Sequence, residues 1–309
     1  MHIPDNYLSP STCATLFVAM TPIWYYSIRK INKTLSADKI PLIGIGGAFA
    51  FILMMFNLPI PDGTTAHAVG GTLIALLLGP YAACIAISVA LFIQAIIFGD
   101  GGILSFGANC FNIAFILPFT GFFIYKILNK IHLSPFYHKC TIFLSAYISI
   151  NLAAFCPYPL WISIPAMALS HLTIAGIAEG LFTLSLYLFI LKTSPNIIYD
   201  SQQIKLNSLF SLLAFLIIIS PLGLIAEGTA WGEWAPEEIL NDTSSGVPLG
   251  FIPEKLLNGF NYEAFFPDYT MSGTTDILAY IASAIIGVAL LIIIFKILGS
   301  IIYAKKQSL

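Results

Sequence analysis

The sequence predicts an all-α polytopic membrane protein of about nine transmembrane helices, with the N-terminus outside and the C-terminus in the cytoplasm. Three observations carry that prediction. Charged side chains make up 9% of the 309 residues and hydrophobic ones 58%, whereas a soluble domain carries roughly a quarter charged residues. The mean hydropathy of +0.89 would leave large apolar patches facing water. The few cations, finally, collect on one side of the apolar runs.

A helix of on the order of 20 apolar residues crosses about 30 Å of hydrocarbon. Such runs are read at residues 11–29, 41–58, 66–78, 80–98, 107–127, 140–156, 165–191, 207–226 and 277–303. The first is followed by Arg29, Lys30, Lys33 and Lys39. The second opens with small residues at helical spacing, Gly44 to Ala48 and Gly46 to Ala50. The third follows the turn Pro59-Ile60-Pro61-Asp62-Gly63, and Gly79-Pro80 separates it from the fourth, because proline lacks a backbone donor and marks a helix boundary. Lys126, Lys130 and Lys139 follow the fifth, Lys192 and Lys205 follow the seventh, and Lys296, Lys305 and Lys306 close the chain.

Twelve of the thirteen cations therefore lie in alternate connections, the exception being Lys255. Positive loops stay in the cytoplasm, which sets the predicted orientation, and an odd number of crossings agrees with it. Two units are expected: a seven-helix core over residues 1–192, and a two-helix extension over 193–309 around an extracytoplasmic loop, 227–275. That loop carries Trp231, Trp234, Tyr262 and Tyr269 among its acids, and reads either as an attractor for cations or as ordinary solvated charge.

Several classes are excluded. A formal net charge of −2 provides no basic stripe, so nucleic acid is not a partner. Five scattered cysteines without a CxxC pair indicate neither a disulfide framework nor a thiolate metal site. No Lys or Arg precedes the first apolar run, so the start does not read as a signal peptide and is expected to persist. A phosphate loop of the GxxxxGKS or GxxxxGKT pattern is absent, so energy for any transport must come from another chain.

Of the five histidines, His132 and His138 sit beside lysines on the inner side and read as solvated. His2, His67 and His171 fall at or near the outer face. His2 follows an amino terminus directly, so the Met1 amine, the His2 amide and a His2 ring nitrogen form three donors in fused chelate rings. A metal able to displace the amide proton takes such nitrogens in a square plane, as Ni(II) and Cu(II) do and low-spin Co(II) can. His67 is a plausible fourth donor. A frayed end for His2 and a packing role for His67 are the competing readings, and spacing alone does not choose between them.

These stretches resemble the CbiM/NikM family, the substrate-capturing S components of energy-coupling factor (ECF) ABC importers for cobalt and nickel. The resemblance rests on Met1-His2-Ile3-Pro4-Asp5 with Leu8-Ser9-Pro10, on Gly63 through Gly71 containing His67, on Leu78-Gly79-Pro80, and on Gln94 through Gly102. Gly107-Ala108-Asn109 and Gly176-Ile177-Ala178-Glu179-Gly180 continue it. It implies a metal held in a square plane by Met1, His2 and His67, with no intrinsic cofactor and no catalytic residue. Where the family has Gly after Pro-Asp, this chain has Asn6, which also tolerates positive φ.

The resemblance further implies a transmembrane coupling (T) subunit, cytoplasmic ATPase (A) subunits, and residence in the cytoplasmic (inner) membrane of a prokaryote. Overall likeness favours Co(II), which would feed cobalamin biosynthesis, with Ni(II) uptake the alternative. Residues 193–309 are similar to the small accessory subunit of these systems and read as a CbiN-like fusion. His171 is a second-shell candidate, and Glu179 a structural hydrogen-bonding group or a relay. The spacing Gly44/Ala48 and Gly46/Ala50 marks a helix-docking face for the coupling subunit or for internal packing. An intramembrane metalloenzyme would rest only on Glu179 and His171, since HExxH is absent, and a proton-driven carrier would need Glu179 as its relay although polar residues in the other spans are few and no inverted repeat is apparent.

Overall fold

In the computed structural model the described residues are 2–36, 39–60, 64–131, 134–156, 168–194, 206–226, 228, 236–241 and 250–307. They are mostly helical. Helix α1 spans Pro10–Thr34. It starts there because Ser9 Oγ accepts from the Thr12 amide at 3.2 Å and Pro10, with its fixed φ, suits a first helical turn. Helix α2 (Ile40–Met54) ends before Asn57-Leu58-Pro59-Ile60-Pro61, where two prolines forbid a continuing helix. The chain turns instead into a short antiparallel hairpin, β1 (Leu58–Ile60) and β2 (Thr64–Ala66), with Leu58 opposite Ala66.

Then follow α3 (Gly71–Leu78) and, across Gly79 at φ 88°, α4 (Pro80–Phe98). Helices α5 (Phe106–Leu128), α6 (Pro135–Phe155) and α7 (Ser170–Thr193) complete the first part. The rest comprises α8 (Leu206–Ile225), the short α9 (Pro236–Asn241) and α10 (Glu254–Asn258), and the long α11 (Asp276–Gln307). Among the described residues, five helices are long and apolar enough to cross a membrane: α4, α5, α7, α8 and the Asp276–Ile302 stretch of α11. Their lipid-ready surface is visible in exposed Phe123, Phe215, Ile218, Ile285 and Ile293.

The structure corrects one expectation and, for another, favours one of its two readings. The third apolar run is not a membrane-length helix: α3 has 8 residues and rises about 12 Å. The preceding stretch, Thr65 to Gly70, is non-helical and buried, and irregular backbone is tolerated at depth where protein surrounds it. The small-residue face of α2 is also not free for docking. Helix α2 is apolar on every side and buried from Leu42 to Met54, as an all-round hydrophobic helix must be. A Cβ on Gly44 would lie 2.9 Å from both the Leu291 carbonyl oxygen and Phe295 Cβ of α11, and one on Gly46 3.0 Å from Ile74 of α3. Ala48 and Ala50 are fully buried. These residues admit α11 and α3 rather than another subunit.

Among the described residues three π-helical stretches occur, at Gln94–Phe98, Cys110–Ile116 and Leu169–Ala175. Such turns re-aim side chains and recur at functional sites. Two of them lie beside the segment carrying Asp100 and Asn109. The close α2–α11 seam gives a direct test. Gly44→Leu should destabilise the detergent-solubilised protein by about 1–3 kcal/mol through overpacking, lowering its thermal midpoint, while Ile293→Leu on the exposed face of α11 should leave it unchanged.

Candidate metal centre

The start of the chain is buried and stapled to the loop between α4 and α5. Ile3 N–H donates to Asn109 Oδ1 at 2.7 Å, and the Ile3 carbonyl accepts from Asn109 Nδ2 at 3.1 Å, from the Gly102 amide at 3.1 Å and from Ser105 Oγ. Asp5 accepts from the amides of Ile103, Leu104 and Ser105 at 2.9, 2.8 and 3.2 Å, so its charge caps the N-terminus of α5. Gly102 permits the approach, since a Cβ there would fall 2.2 Å from Asp5 Oδ1. Asn6 takes φ 71°, as the residue type allows. Its side chain pairs twice with Phe260, donating to the carbonyl at 2.8 Å and accepting from the amide at 2.9 Å.

This stapling carries His2 into the interior. His2 and His67 are 3% and 5% exposed, and their ring centroids lie 5.1 Å apart at 44°. The two expected side-chain ligands, far apart in sequence, therefore meet. Met1 lies outside the described residues. Among those described, no group of three or more His, Cys, Asp or Glu side chains is arranged to hold an ion, so the two imidazoles alone do not make a complete side-chain site. A cavity of about 760 Å³ adjoins His67, lined also by Asp100, Asn6, Phe260, Tyr262 and Tyr269 among others.

Asp100 is the residue that sequence reasoning missed. His2 Nδ1 lies 2.5 Å from Asp100 Oδ1, and a carboxylate only accepts, so the hydrogen sits on Nδ1. Gln94 Nε2 donates to Asp100 Oδ2 at 3.0 Å, as does the Tyr269 hydroxyl. Burial alone would raise the Asp100 carboxyl, but the charge and hydrogen bond of His2, with the Tyr269 hydroxyl, hold it below the usual carboxylate range. Burial, then the charge of Asp100, pushes the Tyr269 phenol up, so it stays a protonated donor. Burial pushes the His67 imidazole well below its ordinary value, and nearby positive charge adds to the shift. His67 is thereby kept neutral, the form that binds metals. The one sequence signal for Asp100 was an acid between glycines, and Gly99 and Gly101 both take positive φ, 70° and 82°.

Glu179, buried within α7, acts on the His67 loop. Its Oε2 accepts from the Val69 and Gly70 amides at 2.7 and 2.9 Å, capping α3 immediately after His67. His171 sits at the start of α7 with Nδ1 3.0 Å from Ser170 Oγ, and it is not among the side chains lining the cavity. His138 pairs with Asn129 Oδ1 at 3.0 Å and is partly buried rather than simply solvated; His132, Trp231 and Trp234 lie outside the described residues.

Comparison with known proteins places these features in context. A family model described as "Cobalt uptake substrate-specific transmembrane region" (CbiM) matches residues 2–197, and one for the PDGLE domain matches residues 206–304. The chain is 41% identical over 321 residues to the "Probable fused nickel transport protein LarMN" of Lactiplantibacillus plantarum, covering 96% of this chain and 97% of that protein. It is 40% identical over 330 residues to the "Fused nickel transport protein NikMN" of Rhodobacter capsulatus, covering 94% and 95%. A crystal structure described as a truncated transition metal transporter is 44% identical with a TM-score of 0.57, over 62% of this chain and 99% of that one.

The Glu179 cap can be tested apart from any cargo. Glu179→Leu leaves two buried amides without an acceptor and should destabilise the protein by about 2–5 kcal/mol. A chemical unfolding curve in detergent that coincides with that of the native chain would refute the cap.

Proposed function

The chain belongs to the CbiM family of cobalt-uptake substrate-specific transmembrane regions, joined to a PDGLE domain, and on that premise we propose that it captures Ni(II) or Co(II) outside the cell for import. The observation that carries this reading is the approach of His2 and His67 to 5.1 Å at a buried chain start. Two imidazoles bound side by side on one ion, each nitrogen about 2 Å from the metal, bring their centroids to about 4.5 Å. The ring centres thus already stand close to the spacing of a shared site.

In the proposed square plane the Met1 amine, the His2 amide and His2 Nδ1 supply three corners. The order is fixed by ring size. Amine and amide close a five-membered chelate, and amide and Nδ1 a six-membered one, which Nε2 is too remote to close. His67 takes the fourth corner, opposite the amide. Since Nδ1 faces Asp100 in the structure, loading requires the His2 ring to turn about Cβ–Cγ. The turn exchanges Nδ1 with Cδ2 and brings the Nε2 edge towards the carboxylate. Asp100 then serves as the outer acceptor that orients a ligating histidine and raises its basicity.

Charge and protons set the pH response. The amine and the His2 imidazole, with reference values near 8 and 6.5, must release protons, as must the amide. Acid therefore competes with the metal. His67, already neutral, adds little to that competition. Affinity should rise as pH increases from about 6 to 8, and the slope should not fall in a variant that alters only the surroundings of His67.

We place the site on the extracytoplasmic side of an inner membrane, with T and A subunits supplying docking and ATP hydrolysis. The relatives that span nearly the whole chain are named for nickel, so nickel is the first cargo to test, with cobalt beside it. The extension 193–309 takes the part of an accessory subunit. Its α11 packs along α2 and its Phe260 and Tyr269 reach the start of the chain and Asp100. A chain ending near Lys192 should lose metal uptake in cells supplied with T and A subunits; uptake equal to that of the full chain would sink this role.

Equilibrium binding of Ni(II) and Co(II) to detergent-solubilised protein tests the ligand set. His67→Ala should weaken binding at least a hundredfold, and one residue added before Met1 should do comparable damage, because it removes the amine from its chelate. Asp100→Asn should cost roughly 10–100-fold. Native affinity in the extended chain would exclude the amine as a ligand.

A further inference from the structure

We propose that Tyr269, contributed by the segment between α10 and α11, is a positioning residue for the metal site, acting through Asp100 on His2; this rests on His2 being a ligand. The Tyr269 hydroxyl and Gln94 Nε2 both donate to Asp100 Oδ2, and Gln94 also reaches the Tyr269 oxygen at 3.1 Å. With one carboxylate oxygen held by two donors, the other, Oδ1, is presented to the His2 ring. A carboxylate held at one oxygen cannot swing away when the imidazole turns.

The surroundings of Tyr269 are built to place that hydroxyl. Asp268 and Tyr269 both adopt left-handed backbone, φ 50° and 61°, a region side chains other than glycine rarely occupy and which persists where the surrounding structure enforces it. Phe266 N–H donates to the Ile97 carbonyl at 2.8 Å, tying the turn to the end of α4. The Tyr269 carbonyl accepts from Ser283 Oγ of α11 at 3.2 Å. The ring stacks on Phe98 at 4.9 Å and 25° and meets Tyr280 edge-on at 5.5 Å. Packing alone would be served by phenylalanine. The hydroxyl, aimed at the carboxylate that holds His2, is the part that a filler role leaves unused. The same segment grips Asn6 through Phe260, so it touches the site on two sides of His2.

The test compares Ni(II) binding by the full chain in detergent among native protein, Tyr269→Phe, Asp100→Asn and the double variant. Tyr269→Phe keeps the stacked ring and removes only the hydroxyl. It should raise Kd roughly tenfold, the lower end of what outer-shell changes cost, while the visible absorption band of the bound nickel keeps its position. In the Asp100→Asn background the same change should add less than twofold, because its effect passes through that carboxylate. Gln94→Leu removes the second donor to the same oxygen and should behave alike, which keeps the test available if Tyr269→Phe folds poorly. Native affinity in Tyr269→Phe and Gln94→Leu, or a tenfold loss undiminished in the Asp100→Asn background, would overturn the proposal. His67→Ala is carried in parallel: binding as tight as native there would instead bring down the ligand reading itself.

Discussion

The structure depends on the burial of a chain start. Residues at a terminus ordinarily remain in water, where their backbone groups need no partners; here His2 and Ile3 are inside, and every polar group taken with them must be matched. Asn109 does so for Ile3 with both ends of its amide, and Asp5 turns three amides before α5 into a cap. From this follow the glycines of the α4–α5 loop, since Gly102 has no room for a Cβ. The distorted turns at Gln94–Phe98 and Cys110–Ile116 flank that loop.

Acids recur in this arrangement, one buried and two partly so, and each is spent on fixed donors. Glu179 takes two amides at the head of α3, Asp5 takes three, and Asp100 takes an imidazole, an amide and a phenol. Burying a carboxylate is costly unless hydrogen bonds offset the loss of water, and in each of these acids at least one oxygen accepts from fixed donors. The shared result is precision: one acid holds the loop behind His67, and another holds the ring of His2. The extension closes the set from above and packs its last helix into the glycine face of α2, so core and extension form one continuous interior.

Much of this was legible in the sequence because it depends on local pattern. Most of the apolar runs fall on helices among the described residues, the Gly79-Pro80 break separates α3 from α4, and Asn6 adopts the positive φ its type permits. His2 and His67 stood out because nitrogen donors are rare in so apolar a chain. What was not legible depends on partners distant in sequence. Hydropathy counted residues 66–78 as a span, but Pro59, Pro61 and the left-handed Gly70 delay the helix until Gly71. The spacing of Gly44, Gly46, Ala48 and Ala50 showed that something approaches closely, and only the fold shows that it is α11 and α3. Asp100 and Tyr269 are 169 residues apart, a separation over which no spacing rule operates.

The central claim is that a nitrogen plane formed by the chain start and His67 holds the cargo. X-ray absorption at the nickel K-edge of the loaded, detergent-solubilised protein reads that plane directly. The account predicts a four-coordinate planar spectrum, an all-nitrogen first shell and outer scattering from two imidazole rings. A six-coordinate shell rich in oxygen, or scattering from a single imidazole, would contradict it.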